Sequence, residues 1–196
     1  MPQPPPVPTL WDKTRALVHS QVTDVALDLF LAQGFEETTI DQVVASAGIS
    51  RRSFFRYFGT KEDIVLGDAD TLGPLFAEAL AARPSDEDPW TALERAASAL
   101  PSSRFPEDRA FAIAKLVFTT PSLRARHAQK HAAWQRALVP VLQRRMGTAD
   151  GPDIRATAIV AAALACLDAA REVWVATGGT TPFPALYHEA VAAIRD

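Results

Sequence analysis

The chain has 196 residues and a net charge of -3, which argues against a protein that binds polyanions over its whole surface. Its hydrophobic content of 48% can supply a buried core, and its single cysteine, Cys166, excludes an internal disulfide framework. The chain has no leader-like start and no apolar run long enough to span a bilayer, so we expect a cytoplasmic protein without membrane contact.

The N-terminal third of the chain predicts an arm followed by short, closely spaced helices. Five prolines among residues 1–8 disfavour both helix and sheet, so residues 1–9 are assigned to a disordered arm. Apolar residues recur at helical spacing over residues 14–33, and Gly34 supplies a helix stop. Thr39 and Ser50 are then N-caps for two further helices with a turn at Gly48 between them.

Two capped helices joined by a glycine turn within about 20 residues form a helix-turn-helix, whose second helix enters the major groove of DNA. From Arg51 to Lys61 there are four basic residues and no acidic one. These features predict a three-helix DNA-binding domain over residues 10–60. The alternative is a helical hairpin whose basic face is simply solvated.

Residues 34–64 have the sequence GFEETTIDQVVASAGISRRSFFRYFGTKEDI. This segment resembles the DNA-binding domain of the TetR family of transcriptional regulators. Where that family usually has tyrosine and histidine in the aromatic run, this chain has Phe55 and Tyr57. The landmarks of the resemblance are Gly34-Phe35, Thr38-Thr39-Ile40, Ala47-Gly48-Ile49-Ser50, Phe54-Phe55-Arg56-Tyr57-Phe58 and Lys61-Glu62.

The resemblance also implies which side chains contact DNA. Thr39, Tyr57 and Lys61 would hold phosphates. Because arginine can bind O6 and N7 of guanine with two hydrogen bonds, Arg51 and Arg52 are the predicted readers of base sequence. The complete predicted set is Thr39, Ser50, Arg51, Arg52, Ser53, Arg56, Tyr57 and Lys61. The predicted core beneath it is Ile40, Val43, Val44, Ile49, Phe54 and Phe58.

The rest of the chain predicts helices only, which makes the fold all-α. Residues 61–196 form the predicted C-terminal helical domain for effector binding and dimerisation. The segment 107–119 is apolar all round and therefore expected to be buried. The predicted helices are 61–80, kinked or broken at Gly73-Pro74, then 90–100, 107–119, 122–146, 153–177 and 181–195.

The last two predicted helices suit a dimer interface. The resemblance implies a homodimer built as a four-helix bundle from 153–177 and 181–195 of each chain. Alternatively, both helices belong to the core of one chain. Small or apolar residues mark the faces concerned, namely Ala158, Ala161, Ala162, Ala165 and Ala169 on the first helix and Phe183, Tyr187, Ala190, Val191 and Ile194 on the second.

Aromatic and cationic residues of the C-terminal domain predict a site for a small, mainly apolar effector, either acyl-type or aromatic. Lys115 lies on an apolar face, so its ammonium either reaches solvent or meets an anion. The tail DAAREVWVATGG is similar to a TetR subgroup that is thought to bind acyl-CoA-like ligands. The predicted ligand set is Phe111, Lys115, Phe118, His131, Trp134, Arg171 and Trp174.

His127 and His131 have the i, i+4 spacing of metal ligands. No acidic or cysteine residue stands nearby in the sequence to complete a site, so no metal and no other cofactor is expected.

Taken together, these features predict a ligand-responsive repressor that binds palindromic double-stranded operator DNA as a dimer. An enzyme is not expected, because the chain has no glycine-rich phosphate loop and no GxSxG, HExxH or CxxC motif. The alternative is an architectural or partner-binding protein without an effector, which a fully packed C-terminal core would favour.

Overall fold

The structure, a computed structural model, describes residues 9–67, 69–100, 105–148 and 151–195. Those ranges hold ten helices and no strand, so the predicted all-α fold is confirmed. The predicted disordered arm, apart from Thr9, lies outside the described residues. Over the same ranges, every helix is too short or too polar to cross a membrane.

The chain divides into two compact units, the first ending at Val65 and the second beginning at Leu66. The first contains α1 (Leu10–Gln33), α2 (Ile40–Ala47), α3 (Arg51–Tyr57) and nearly all of α4 (Lys61–Leu66). The second contains α5 (Ala69–Ala81), α6 (Pro89–Ser98), α7 (Glu107–Thr119), α8 (Pro121–Met146), α9 (Ile154–Ala176) and α10 (Phe183–Arg195).

The start signals of α2 and α3, and the turn between the two helices, are those that the sequence predicts. The Thr39 hydroxyl accepts a hydrogen bond from the Gln42 amide at 3.2 Å, and the Gln42 side chain accepts one from the Thr39 amide at 2.8 Å. Gly48 adopts the left-handed conformation, with a φ of 66°, and turns the chain between the two helices. Ser50 caps α3 by accepting a hydrogen bond from the Ser53 amide at 3.1 Å. Both predicted N-caps are therefore confirmed.

The predicted core of the N-terminal unit is largely confirmed. Phe54 and Phe58 are buried, and their ring centroids lie 5.4 Å apart. Ile40 and Ile49 are only half-buried. These rings hold α3 in place, and the other buried residues of this core include Val22, Ala26, Phe30, Phe35, Val43 and Val44.

We expect Phe54→Ala to lower the free energy of unfolding of the N-terminal unit by about 3–5 kcal/mol, because truncating a buried aromatic side chain leaves a cavity. Phe55 is the matched control, since it is the next residue and is 50% exposed. Phe55→Ala should cost only about 0.5–1.5 kcal/mol, because it removes an edge-on contact with Phe54 but no buried side chain. Chemical denaturation monitored by circular dichroism measures both, and equal losses in the two variants would contradict the packing described for α3.

The prediction of one helix over 61–80, kinked or broken at Gly73-Pro74, is wrong. The interruption lies at Gly67, which has a φ of 69°, and Pro74 lies inside α5. Gly73 has a packing role instead, because a Cβ atom there would come within 3.2 Å of Cδ1 of Trp134 on α8. The glycine allows α5 and α8 to approach each other closely.

In the C-terminal unit, α5, α6, α8, α9 and α10 share one core. The expectation that α7 is buried is wrong. Val117 is the only buried residue described for that helix, and Lys115 is exposed. α7 packs against α8 and α9, and its remaining apolar residues are half-buried.

The two helices predicted to form a dimer interface differ in what they bury. On α10, Tyr187 and Val191 lie in the core of the chain, whereas Ile194 is 52% exposed. Most of the apolar residues predicted for the α10 part of the interface therefore pack within one chain. The alanine face of α9 is largely uncovered, with Ala158, Ala165 and Ala169 exposed and Ala161 and Ala162 half-buried.

Candidate nucleic-acid interface and C-terminal polar cluster

The outer face of α3 carries three of the eight residues predicted to bind DNA, namely Arg51, Arg52 and Arg56. Phe54 and Phe58, one helical turn apart, are both buried. The opposite side of α3 therefore faces outward. This outer face is cationic and also includes one large apolar ring. Its exposed residues are Arg51, Arg52, Phe55 and Arg56.

The arginines of this face are held loosely. Arg51 pairs with Asp41 of α2 at 3.2 Å, with side chains that are 61% and 67% exposed, and such surface pairs are weak. Arg52 has no ion-pair partner among the described residues. The guanidinium of Arg56 lies 5.1 Å from the ring centroid of Tyr57, which is half-buried. Side chains held this loosely can reorient towards a ligand at little cost.

The starts of α2 and α3 lie next to each other, because the Asp41–Arg51 pair joins the first turns of the two helices. Thr39 and Ser50, at those helix starts, are exposed, and Ser53 is half-buried. Helix N-termini present backbone N–H groups that bind phosphates.

Lys61 has a structural role that the sequence did not reveal. Its ammonium donates hydrogen bonds to the carbonyls of Phe35 and Thr38, at 2.7 and 3.0 Å, and lies 4.2 Å from the centroid of the Phe35 ring. It thereby fastens the turn between α1 and α2. An ammonium has three N–H donors, so one remains for a phosphate.

In the C-terminal unit, a carboxylate lies between two histidines. Asp168 of α9 contacts Nε2 of His127 at 2.8 Å and Nδ1 of His131 at 3.0 Å. Both histidines come from α8, and their ring centroids are 4.3 Å apart. The expectation that no acidic residue joins this histidine pair is therefore wrong, because α9 brings the carboxylate to it from a distant part of the chain.

His127, His131 and Asp168 form a trio, and its protonation follows from its burial and its hydrogen bonds. Burial lowers the pKa of His127, and the nearby Asp168 only partly opposes this, so the imidazole is neutral at pH 7. Burial alone would raise the pKa of Asp168, but the hydrogen bonds from His127 and His131 outweigh it and lower that pKa. The trio thus holds an ionised carboxylate.

Two cations lie close to this trio. Lys130 is buried, its ammonium donates to the carbonyl of Leu66, and it lies 4.8 Å from the Trp134 ring centroid. Burial, with a smaller contribution from Arg171, lowers the pKa of Lys130 to about 7. Arg171 lies over the Phe183 ring at 5.3 Å, and burial lowers its pKa as well. Among the described residues, neither cation forms a salt bridge.

The structure brings most of the predicted ligand residues together in pairs. Phe111 packs edge-on against Trp174, with ring centroids 5.3 Å apart, and His131 stacks on Trp134 at 5.4 Å. Phe118 and Arg171 instead contact rings outside the predicted set, those of His127 and Phe183, and Lys115 is exposed. Lys130 was missed, although it lies one turn before Trp134 and three residues after His127, and so shares their face of α8.

Several buried nitrogens near these rings lack a hydrogen-bond partner. They are Nδ1 of His127, Nε2 of His131 and Nε1 of Trp134 and of Trp174. Buried polar atoms in proteins usually form hydrogen bonds, so these four nitrogens are candidates for binding a ligand. A separate cleft of about 240 Å³ lies elsewhere, lined by Glu87, Pro89, Arg145, Met146, Thr148 and Arg155.

Both parts of the chain match known families. Residues 22–67 match the family described as bacterial regulatory proteins, tetR family. Residues 87–196 match the family described as the MftR C-terminal domain. The first match contains α2 and α3 entirely, and the second contains the histidine and carboxylate residues described above.

Similar proteins carry names of transcriptional regulators rather than of enzymes. The chain is 33% identical over 161 residues to the HTH-type transcriptional regulator TcmR of Streptomyces glaucescens, covering 79% of this chain and 71% of that protein. It is 30% identical over 138 residues to the putative mycofactocin biosynthesis transcriptional regulator MftR of Mycobacterium tuberculosis, covering 69% of each. The fold resembles that of Thermus thermophilus FadR, a TetR family repressor solved with lauroyl-CoA. The TM-score is 0.55 at 19% identity over 89% of this chain and 91% of that one.

Proposed function

The chain belongs to the TetR family of bacterial transcriptional regulators, and from that premise we propose a ligand-responsive repressor that binds palindromic operator DNA as a dimer. The observation that carries the proposal is the exposed arginine face of α3, which lies within the segment matching the family's DNA-binding domain. Operator binding places the protein in the cytoplasm, with the bacterial chromosome. The residues proposed to bind DNA are the eight predicted from the sequence, of which Thr39 is the first and Lys61 the last.

The uncovered face of α9 supports a dimer. Its alanines present little side-chain bulk, so a second helix can approach closely along Ala158, Ala165 and Ala169. A two-fold axis at this face would make the same patch contact itself in the partner. The exposed end of α10, at Ile194, would extend the contact.

The cations and unpaired nitrogens of the C-terminal unit support an effector with an apolar body and an anionic group. Aromatic rings such as Phe111 and Trp174 would hold the apolar body. Arg171 and Lys130 would bind the anion, because neither cation forms a salt bridge within the described residues and an anionic group could pair with both. The acyl-CoA bound to the Thermus thermophilus FadR combines these two chemistries, as aromatic acids also do.

The test of this function has two steps. Selection of bound fragments from random DNA should yield a palindromic operator. The operator complex is then challenged with fatty acids, acyl-CoA esters and aromatic acids, and both DNA release and the melting temperature of the protein are recorded. If no compound both stabilises the protein and releases DNA, the alternative of a DNA-binding protein without an effector is favoured.

We expect Arg171→Gln to weaken the binding of an effective anionic compound by roughly 10- to 100-fold, since hydrogen bonds to charged groups contribute about 1.5–3 kcal/mol. Arg136→Gln is the matched control, because it makes the same change in the C-terminal unit but at an exposed position of α8. Its affinity for the same compound should equal that of the wild type. Isothermal titration calorimetry measures both, and equal losses in the two variants would contradict the proposed anchor.

A further inference from the structure

We propose that His127, His131 and Asp168 form a Zn²⁺ site that joins α8 to α9. Each of these residues offers one ligand atom, and the three atoms lie within 4.8 Å of one another. Two ligands come from successive turns of α8 and the third from α9. The site does not depend on the proposed function, because metal binding needs neither DNA nor an effector.

The geometry requires the three ligand atoms, which lie within 4.8 Å of one another, to move to tetrahedral separations. Zinc binds imidazole nitrogen and carboxylate oxygen at about 2.0–2.2 Å, which places neighbouring ligands in a tetrahedral site roughly 3.3–3.5 Å apart. Without a metal, Oδ1 of Asp168 lies 2.8 Å from Nε2 of His127, and Oδ2 lies 3.0 Å from Nδ1 of His131. Both are hydrogen-bond distances. One metal ion would replace both hydrogen bonds, with the imidazole protons moving to Nδ1 of His127 and Nε2 of His131, and would separate these atoms by about half an ångström.

The ligand set selects the metal. Imidazole nitrogens favour zinc and neighbouring transition metals, whereas magnesium and calcium prefer sites made of oxygen alone. Two histidines and one carboxylate leave a fourth position open for water or an anion, as in zinc sites that bind an outside ligand. The Trp134 ring, stacked on His131, shields one side of the site from solvent.

The charges of neighbouring side chains determine how tightly the site is expected to bind zinc. The half-buried Arg171, three residues after Asp168 on α9, and the buried Lys130 are cations that repel a metal dication. We therefore expect weaker binding than in closed structural sites with four protein ligands. Because the metal would connect two helices only in the folded state, its binding should stabilise the protein.

The experiment uses the full chain, freed of any affinity tag and treated with EDTA, and then titrated with Zn²⁺ or Co²⁺. We expect one metal ion per chain, visible absorption bands of tetrahedral Co²⁺, and a melting temperature raised by roughly 5–10 °C at a Zn²⁺ concentration about one hundred times the dissociation constant. His131→Gln and Asp168→Asn should each weaken binding at least tenfold. His188→Gln is the control, since His188 is exposed and contacts only Glu94 among the described residues.

Two outcomes would overturn the proposal. The first is a wild-type chain that binds no Co²⁺ or Zn²⁺ in stoichiometric amount, which would show that the trio is a hydrogen-bonded cluster only. The second is equal binding by wild type, His131→Gln and Asp168→Asn. Circular dichroism in EDTA establishes that each variant is folded, and Asp168→Asn keeps the shape of the side chain.

Discussion

Replacing Arg52 with alanine is expected to weaken operator binding by about 2–6 kcal/mol per dimer, or roughly 30- to 10⁴-fold. A bidentate arginine–guanine pair discriminates by about 1–3 kcal/mol, and a dimer would form it once in each half-site. Arg52 is exposed on α3 and has no ion-pair partner among the described residues, so it is available for this role. Fluorescence anisotropy at one fixed salt concentration, on operator and on random DNA, measures the change.

Comparing the affinity for operator with the affinity for random DNA distinguishes a residue that reads bases from one that binds phosphates. Arg52→Ala should affect random DNA far less than operator. Lys61→Ala should weaken both about equally and reduce the salt dependence by about one unit for each phosphate that the lysine no longer neutralises. Arg144→Ala, an exposed change of the same charge in the C-terminal unit, should leave both affinities unchanged. If Arg52→Ala weakened binding to operator and random DNA equally, its assignment as a reader of bases would be wrong.

The second large effect is expected from Ala165→Arg on the uncovered face of α9. At a two-fold interface the substitution would act in both subunits at once, placing two large cations where small side chains allow close approach. We expect the variant to be a monomer in light scattering at micromolar concentration. Operator affinity should fall at least about 10²-fold, because binding of the second half-site would no longer be intramolecular.

Ala128→Arg on the exposed face of α8 is the matched control. It introduces the same side chain on a helix that the proposed interface does not use, so it should remain a dimer with unchanged operator affinity. Circular dichroism shows whether both variants are folded. A monomeric wild type, or a dimeric Ala165→Arg variant that binds operator normally, would contradict an interface built on α9.

The elements that could be predicted from the sequence are those that depend on neighbouring residues. The capping box of Thr39 and Gln42 spans three residues, and the cap from Ser50 to Ser53 spans three as well. The burial of Phe54 and the exposure of Arg52 follow from the helical period on one short element. A helix-turn-helix is almost entirely local in this sense, which is why its family could be recognised from residues 34–64.

The errors arose where helices distant in the chain meet. Gly73-Pro74 has the local pattern of a break, yet α5 continues through it, and Gly73 packs closely against Trp134 of α8. Lys115 stands in an apolar stretch of the sequence, whereas Lys130 stands between Gln129 and His131. Packing against other helices decides that Lys130 is buried and Lys115 exposed.

By itself, the sequence of this protein determined the all-α fold, the DNA-binding element and the family, because caps, turns and helical periodicity act over a few residues. The tertiary structure alone decided that Asp168 joins His127, a residue 41 positions away, and that His131 shares the same carboxylate. The physical reason is that burial and pairing depend on which helix faces meet. Hydrophobic periodicity indicates that a face will be covered, but it does not specify the partner.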